Sequence, residues 1–164
     1  MGRLIASLIL LALPLVAQNT PRFYNTYTTS QSFTLSTSAA VLTVQQPAAS
    51  ANTVELLFAR IESTVALAFE LERDGTAATA TATTEVGTSV LTGTAAATAF
   101  QASDVGNGTT IDTILVQLDQ AVTIDLSKTG YNVWLVGAGT TKNFSVRSAS
   151  GTGTVRITIC WREW

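Results

Sequence analysis

Val65-Ala66-Leu67-Ala68-Phe69-Glu70-Leu71-Glu72 is the stretch that decides the fold. Successive side chains of an extended chain point to opposite faces, so Val65, Leu67, Phe69 and Leu71 share one side and Ala66, Ala68, Glu70 and Glu72 the other. The pattern predicts a strand with one buried and one solvated face. Arg73-Asp74-Gly75-Thr76 follows, and Asp-Gly suits a two-residue type I′ turn, which needs positive φ at both central residues. A return strand over residues 76–85 is therefore expected, with Ala78, Ala80 and Ala82 on one face and Thr79, Thr81 and Thr83 on the other.

The same period of two recurs along the chain, and no amphipathic helical stretch of ten residues interrupts it. Further strands are expected at 33–35, 41–45, 54–62, 95–102, 110–118, 121–126, 131–136, 143–148 and 154–161. Turn signals punctuate them at Gly106-Asn107-Gly108, Leu118-Asp119-Gln120, Gly137-Ala138-Gly139 and Ser150-Gly151-Thr152-Gly153. Short strands at such spacing predict an all-β, single-domain antiparallel β-sandwich, jelly-roll-like, with about 8–10 strands. Val155, Ile157, Ile159 and Trp161 share a face, which places the last strand at the centre of the core.

The N-terminus reads differently. Arg3, the apolar run 4–13, Pro14 and Ala17 match a secretory signal peptide over residues 1–17. That run is well short of the roughly 20 residues needed to span a bilayer, so no membrane span is expected after cleavage. The protein is expected to be secreted or to sit at the cell surface or in the periplasm. Residues 18–32 carry Pro21, Phe23, Tyr24 and Tyr27 among Thr, Ser, Asn and Gln, the composition of an extended arm, and residues 33–164 form the sandwich domain. An outer-membrane barrel is not expected, because the phase is wrong. Counting back by twos from Trp164 meets Arg162, Cys160, Thr158 and Arg156, where a lipid-facing row should be apolar.

Composition removes most chemistry. The chain has no His, one Cys and 12% charged residues, with 9 basic against 11 acidic groups. Nucleic-acid binding needs clustered Lys and Arg, which are scattered here. Cys160 has no internal partner for a disulfide and is expected to be buried. Glu70 and Glu72 are the only close carboxylates on one strand face, where solvated charges are the expected role. Phe69-Glu70-Leu71-Glu72-Arg73-Asp74 partly resembles the acidic strand motif of jelly-roll glucanases, but the final glutamate is missing and Gly75 follows. Asp104, Asn107 and Asp112 bracket a Gly-rich loop with oxygen ligands of the kind calcium takes, yet their spacing matches no calcium motif and they read as turn residues. Asn107-Gly108-Thr109 and Asn143-Phe144-Ser145 fit the glycosylation acceptor pattern. No catalytic residue, cofactor or metal site is assigned, and the protein is read as a non-enzyme.

Two functional expectations remain. The composition resembles, in general terms, Ala/Thr-rich β subunits of surface filaments and virion decoration proteins. That implies a structural subunit which self-associates or joins another surface protein, its arm residues Pro21, Phe23, Tyr24 and Tyr27 adding a strand to a neighbour's sheet. The alternative is a carbohydrate-binding module, with Tyr131 and Trp134 as glycan contacts. Trp134 is the stronger candidate because Tyr131, Val133 and Leu135 alternate with it, although a strand buried on both faces would place it in the core.

Overall fold

A computed structural model describes residues 25–35, 41–75, 86–87, 95–101, 108–128, 130–131, 133–136 and 141–164. The expected signal peptide, the arm residues Pro21, Phe23 and Tyr24, the return strand 76–85, and Asp104 and Asn107 lie outside them, as does the turn at 137–139. Eleven strands are present among the described residues: β1 (Asn25–Leu35), β2 (Val41–Gln46), β3 (Thr53–Ser63), β4 (Leu67–Arg73), β5 (Val86–Gly87), β6 (Thr98–Gln101), β7 (Thr109–Val116), β8 (Gln120–Asp125), β9 (Trp134–Val136), β10 (Lys142–Ser148) and β11 (Gly153–Glu163).

They form two antiparallel sheets packed as a β-sandwich. One sheet runs β5-β1-β11-β3-β8, with β9 also on β3; the other runs β6-β2-β10-β4-β7. The first four strands alternate between the sheets, so the core closes between segments far apart in sequence. The inner faces supply Trp161, Ile157, Ile159, Leu56 and Ile61 from the first sheet and Phe69, Leu71, Phe144 and Leu42 from the second, all fully buried. Each such side chain contributes about 1.5–3 kcal/mol on burial. β11 lies between β1 and β3 and carries three of these residues, as its alternation requires. A bulge opposite Cys160 and Trp161 absorbs Leu57 into β3, so Val54 and Leu56 face the core on one side of it and Ala59 and Ile61 on the other.

Three expectations change. The first strand begins at Asn25, inside the segment read as an arm, and pairs with β11 from Asn25↔Glu163 to Leu35↔Gly153. Tyr27 is buried and stacks on Trp161, ring centroids 5.8 Å apart. Its hydroxyl-rich neighbours disguise this strand, because β1 gains its place from β11 rather than from a continuous apolar row of its own.

Second, Asp74-Gly75, the described part of the expected hairpin, is fastened to β10, while the return strand itself lies outside the described residues. Both edges of β4 are occupied, by β10 and by β7. Asp74 does take a positive φ of 56°, but the Asn143 side chain captures the next peptide: the Gly75 N–H donates to Asn143 Oδ1 (2.9 Å) and Asn143 Nδ2 donates to the Gly75 carbonyl (3.0 Å). Gly108 approaches so closely that a Cβ there would sit 2.7 Å from the Arg73 carbonyl oxygen.

Third, the outer face of β4 is not uniformly solvated. Glu72 is only 3% exposed, and Val41, Thr43 and Ser145 on the same outer face are equally buried. Thr43 and Ser145 join hydroxyl to hydroxyl at 2.9 Å. The expected turn at Leu118-Asp119-Gln120 carries the chain from β7 in one sheet to β8 in the other, with Asp119 at φ 54°.

Candidate functional site

The aromatic residues separate according to strand parity. β9 adds to the edge of β3 with Val54↔Leu135 and Glu55↔Trp134 in register. Val133 and Leu135 are buried in the core, so Trp134 and Val136 must face outward, 40% and 49% exposed. Trp134 is therefore not the core residue that a doubly buried strand would have made it. On the other side of β3, Arg162 pairs with Glu55 in register, and parity sends Arg162 and Trp164 outward while Trp161 and Glu163 face inward.

The result is a compact cluster on the outer face of the first sheet. The Trp134 and Trp164 rings lie 5.9 Å apart and 31° from parallel, and the Arg162 guanidinium sits 5.0 Å from the Trp164 ring centroid. Arg162 Nε also donates to Glu55 Oε2, forming an ion pair with a carboxylate that is 4% exposed. Arg162 is thus fixed at both ends of its guanidinium environment, and the Trp164 N–H is tied to the Thr53 carbonyl at 3.1 Å. An exposed aromatic surface held by buried partners is pre-organised, which lowers the ordering cost of binding.

Tyr131 does not join this cluster. It is half-buried against the core, and its hydroxyl donates to Asp112 Oδ2. That hydrogen bond, with burial behind it, raises the phenol above its ordinary value. Asp112 Oδ1 accepts the Thr113 N–H at 2.7 Å, so the one described member of the candidate calcium trio is engaged in local structure. Tyr27, the described member of the expected arm, is in the core; burial and the Glu163 carboxylate push its phenol up. Asn143 is 1% exposed with its amide committed to Gly75, which closes that acceptor to glycosylation in the folded chain. Cys160 is buried as expected, and burial raises its thiol.

Sequence reading missed two groups. Glu163 is a 6% exposed carboxylate that accepts the Ala96 N–H (2.8 Å), the Ala97 N–H (3.0 Å) and Trp161 Nε1–H (3.1 Å). Its position two residues after Trp161 was the available signal. The second is an open cavity of about 430 Å³ on the outer face of the first sheet, lined by Ser32, Glu62, Asp119, Gln120, Thr154 and Arg156. These residues come from four segments, and only the register brings them together.

Fold and site define a β-sandwich with two partly exposed indoles side by side on the outer face of one sheet. Comparison with known proteins finds no matching family model, curated protein or solved structure.

Proposed function

We propose that this is an exported, non-enzymatic β-sandwich of jelly-roll type that binds a carbohydrate at the Trp134–Trp164 platform. The single observation carrying this reading is the pair of outward indoles 5.9 Å apart with an Arg162–Glu55 ion pair beside them. The order β1-β11-β3-β8 opposite β2-β10-β4-β7 supports the jelly-roll reading, an architecture that lectin domains share. A sugar ring presents polarised C–H groups on its faces and hydroxyls around its rim. An indole offers a negative π face to the former, while the guanidinium and carboxylate supply a donor and an acceptor to the latter. A mostly apolar surface with a few placed polar groups is the usual composition of a small-molecule site.

The test is glycan-array screening followed by calorimetry on the retained sugar. Trp134→Ala should weaken binding by about tenfold or more, which is 1.4 kcal/mol, while the exposed position limits the loss of fold stability to about 0.5–1.5 kcal/mol from the broken ring pair. An unmodified protein that retains no glycan, or a Trp134→Ala variant that binds like the parent, defeats the reading.

A second reading, a structural subunit of a surface or extracellular assembly, has its own observation. Leu115 and Leu118 are 69% and 62% exposed at β7 and the turn after it, and neighbouring apolar side chains of this size favour association. If Leu115→Ser/Leu118→Ser leaves a large species in light scattering unchanged, or the parent is a monomer, that reading fails.

A further inference from the structure

Resting on the carbohydrate reading, we infer that the whole outer face of the first sheet is a binding track for an extended, neutral oligosaccharide, with the Trp134–Trp164 platform at one end and the Arg156–Glu62 cavity at the other. Register lays the track out. Along β11 the outward residues run Arg156, Thr158, Cys160 and Arg162; Glu62, Arg60, Phe58 and Glu55 oppose them on β3, and Ser32, Ser30, Thr28 and Thr26 on β1. Arg162 lies six positions beyond Arg156, about 20 Å along the strand. That is far longer than one sugar ring, so a single ring on the indoles would leave the cavity empty.

The chemistry between the two ends suits a chain of hydroxyls. Ser30 and Thr158 sit hydroxyl to hydroxyl at 2.8 Å, and Arg156 Nε donates to Ser30 Oγ at 3.0 Å. Arg60 pairs with Glu62 at 2.7 Å. Phe58, half-buried on the same face, supplies an apolar step midway. Charge decides the ligand class. At the cavity end Arg60 and Arg156 are matched by Glu62 and Asp119, leaving no surplus of cations to hold a polyanion, whereas paired donors and acceptors fit uncharged hydroxyls. On the opposite sheet Val41, Thr43, Ser145 and Glu72 of the outer face are all buried, whereas among the track residues named above only Cys160 and Glu55 are.

The experiment measures calorimetric affinity for the two-sugar and six-sugar members of the cello-, xylo-, manno- and chito-oligosaccharide series. Three proteins are compared: the parent, Trp134→Ala and the double variant Glu62→Ala/Arg156→Ala. Glu62 and Arg156 lie at the surface, and a melting curve of the double variant serves as the folding control. The expected result is a six-sugar ligand bound about tenfold or more tighter than its two-sugar counterpart. The double variant should collapse that gain while leaving two-sugar binding intact, and Trp134→Ala should weaken both. Equal affinity for the two lengths, or a double variant that keeps the gain, overturns the track and leaves the platform standing. Absence of binding at either length in all four series overturns track and platform together.

Discussion

Replacing Glu163 by Gln should lower the melting temperature by several degrees without changing the shape of the side chain. The carboxylate receives three N–H groups, two from the backbone at Ala96 and Ala97 and one from the Trp161 indole. Oε1 takes two of them and Oε2 the third. A glutamine must put its NH2 where one oxygen stood, so at least one donor meets another donor in a site that is 6% exposed. An unmet buried group costs about 1–3 kcal/mol, and the remaining hydrogen bonds lose the charge that roughly doubles their strength. The sum is about 2–4 kcal/mol, equivalent in a chain of this size to a fall of roughly 5–15 °C. Circular dichroism melting at neutral pH reads the shift, and amide exchange at Ala96 and Ala97 should accelerate with it. The Tyr27 phenol, raised in part by this carboxylate, should titrate lower in the variant. A melting temperature within about 2 °C of the parent would refute the idea that Glu163 clasps the segment before β6 to the end of β11.

Two further outcomes follow from the second sheet. Glu72 is held above the ordinary carboxylate range, first by burial and less by its neighbour Glu70, against the opposing pull of Arg147 at 3.9 Å. The native state therefore binds this proton more tightly than the unfolded chain. Stability attributable to the group is present at low pH and is lost as pH rises through the interval above the ordinary value. Glu72→Gln, which mimics the protonated acid, should melt like the parent near pH 3.5 and above it near pH 8, the two sides of that interval; an equal difference at both pH values contradicts the assignment. Asn143→Ala removes both hydrogen bonds to the Gly75 peptide and should cost about 2–3 kcal/mol in denaturant unfolding, and a change below about 0.5 kcal/mol would show that Asn143 does not hold the turn.

Much of the fold was legible because period-two alternation survives wherever one face is buried. β3, β4, β10 and β11 fall within a residue or two of the sequence expectation at most ends. β1 was not legible beyond Phe33, since Tyr-Thr-Thr-Ser-Gln-Ser reads as solvated until β11 is placed beside it. Strand order was equally hidden: β1 pairs with β11 and β2 with β10, partners at least 96 residues apart, and no local signal encodes such a choice. Turn chemistry at Asp74-Gly75 likewise carries no sign that both edges of β4 are occupied, by β10 and β7. At the site, the outward direction of Trp134 was readable from Val133 and Leu135. Its contact with Trp164 was not, because it depends on β3 bringing β9 and β11 to the same end.

On the carbohydrate reading, parity along the last strand divides stability and binding between adjacent residues. Trp161 and Glu163 face inward and hold the sandwich; Arg162 and Trp164 face outward and build the platform. A single exposed apolar residue needs no explanation, but Trp134, Val136 and Trp164 share one face beside an ion pair, which is the arrangement that the proposed binding role rests on. The structure spends buried contacts to fix that patch: Glu55 anchors Arg162, and Thr53 anchors the Trp164 backbone. Stability and binding should consequently separate. Glu163→Gln, studied well below its melting point, should bind glycan within a few-fold of the parent, while Trp134→Ala should melt close to the parent and bind poorly. If instead both variants lose stability and binding in proportion, the outward residues are only the exposed remainder of the core, and alternation along β11 carries no functional meaning.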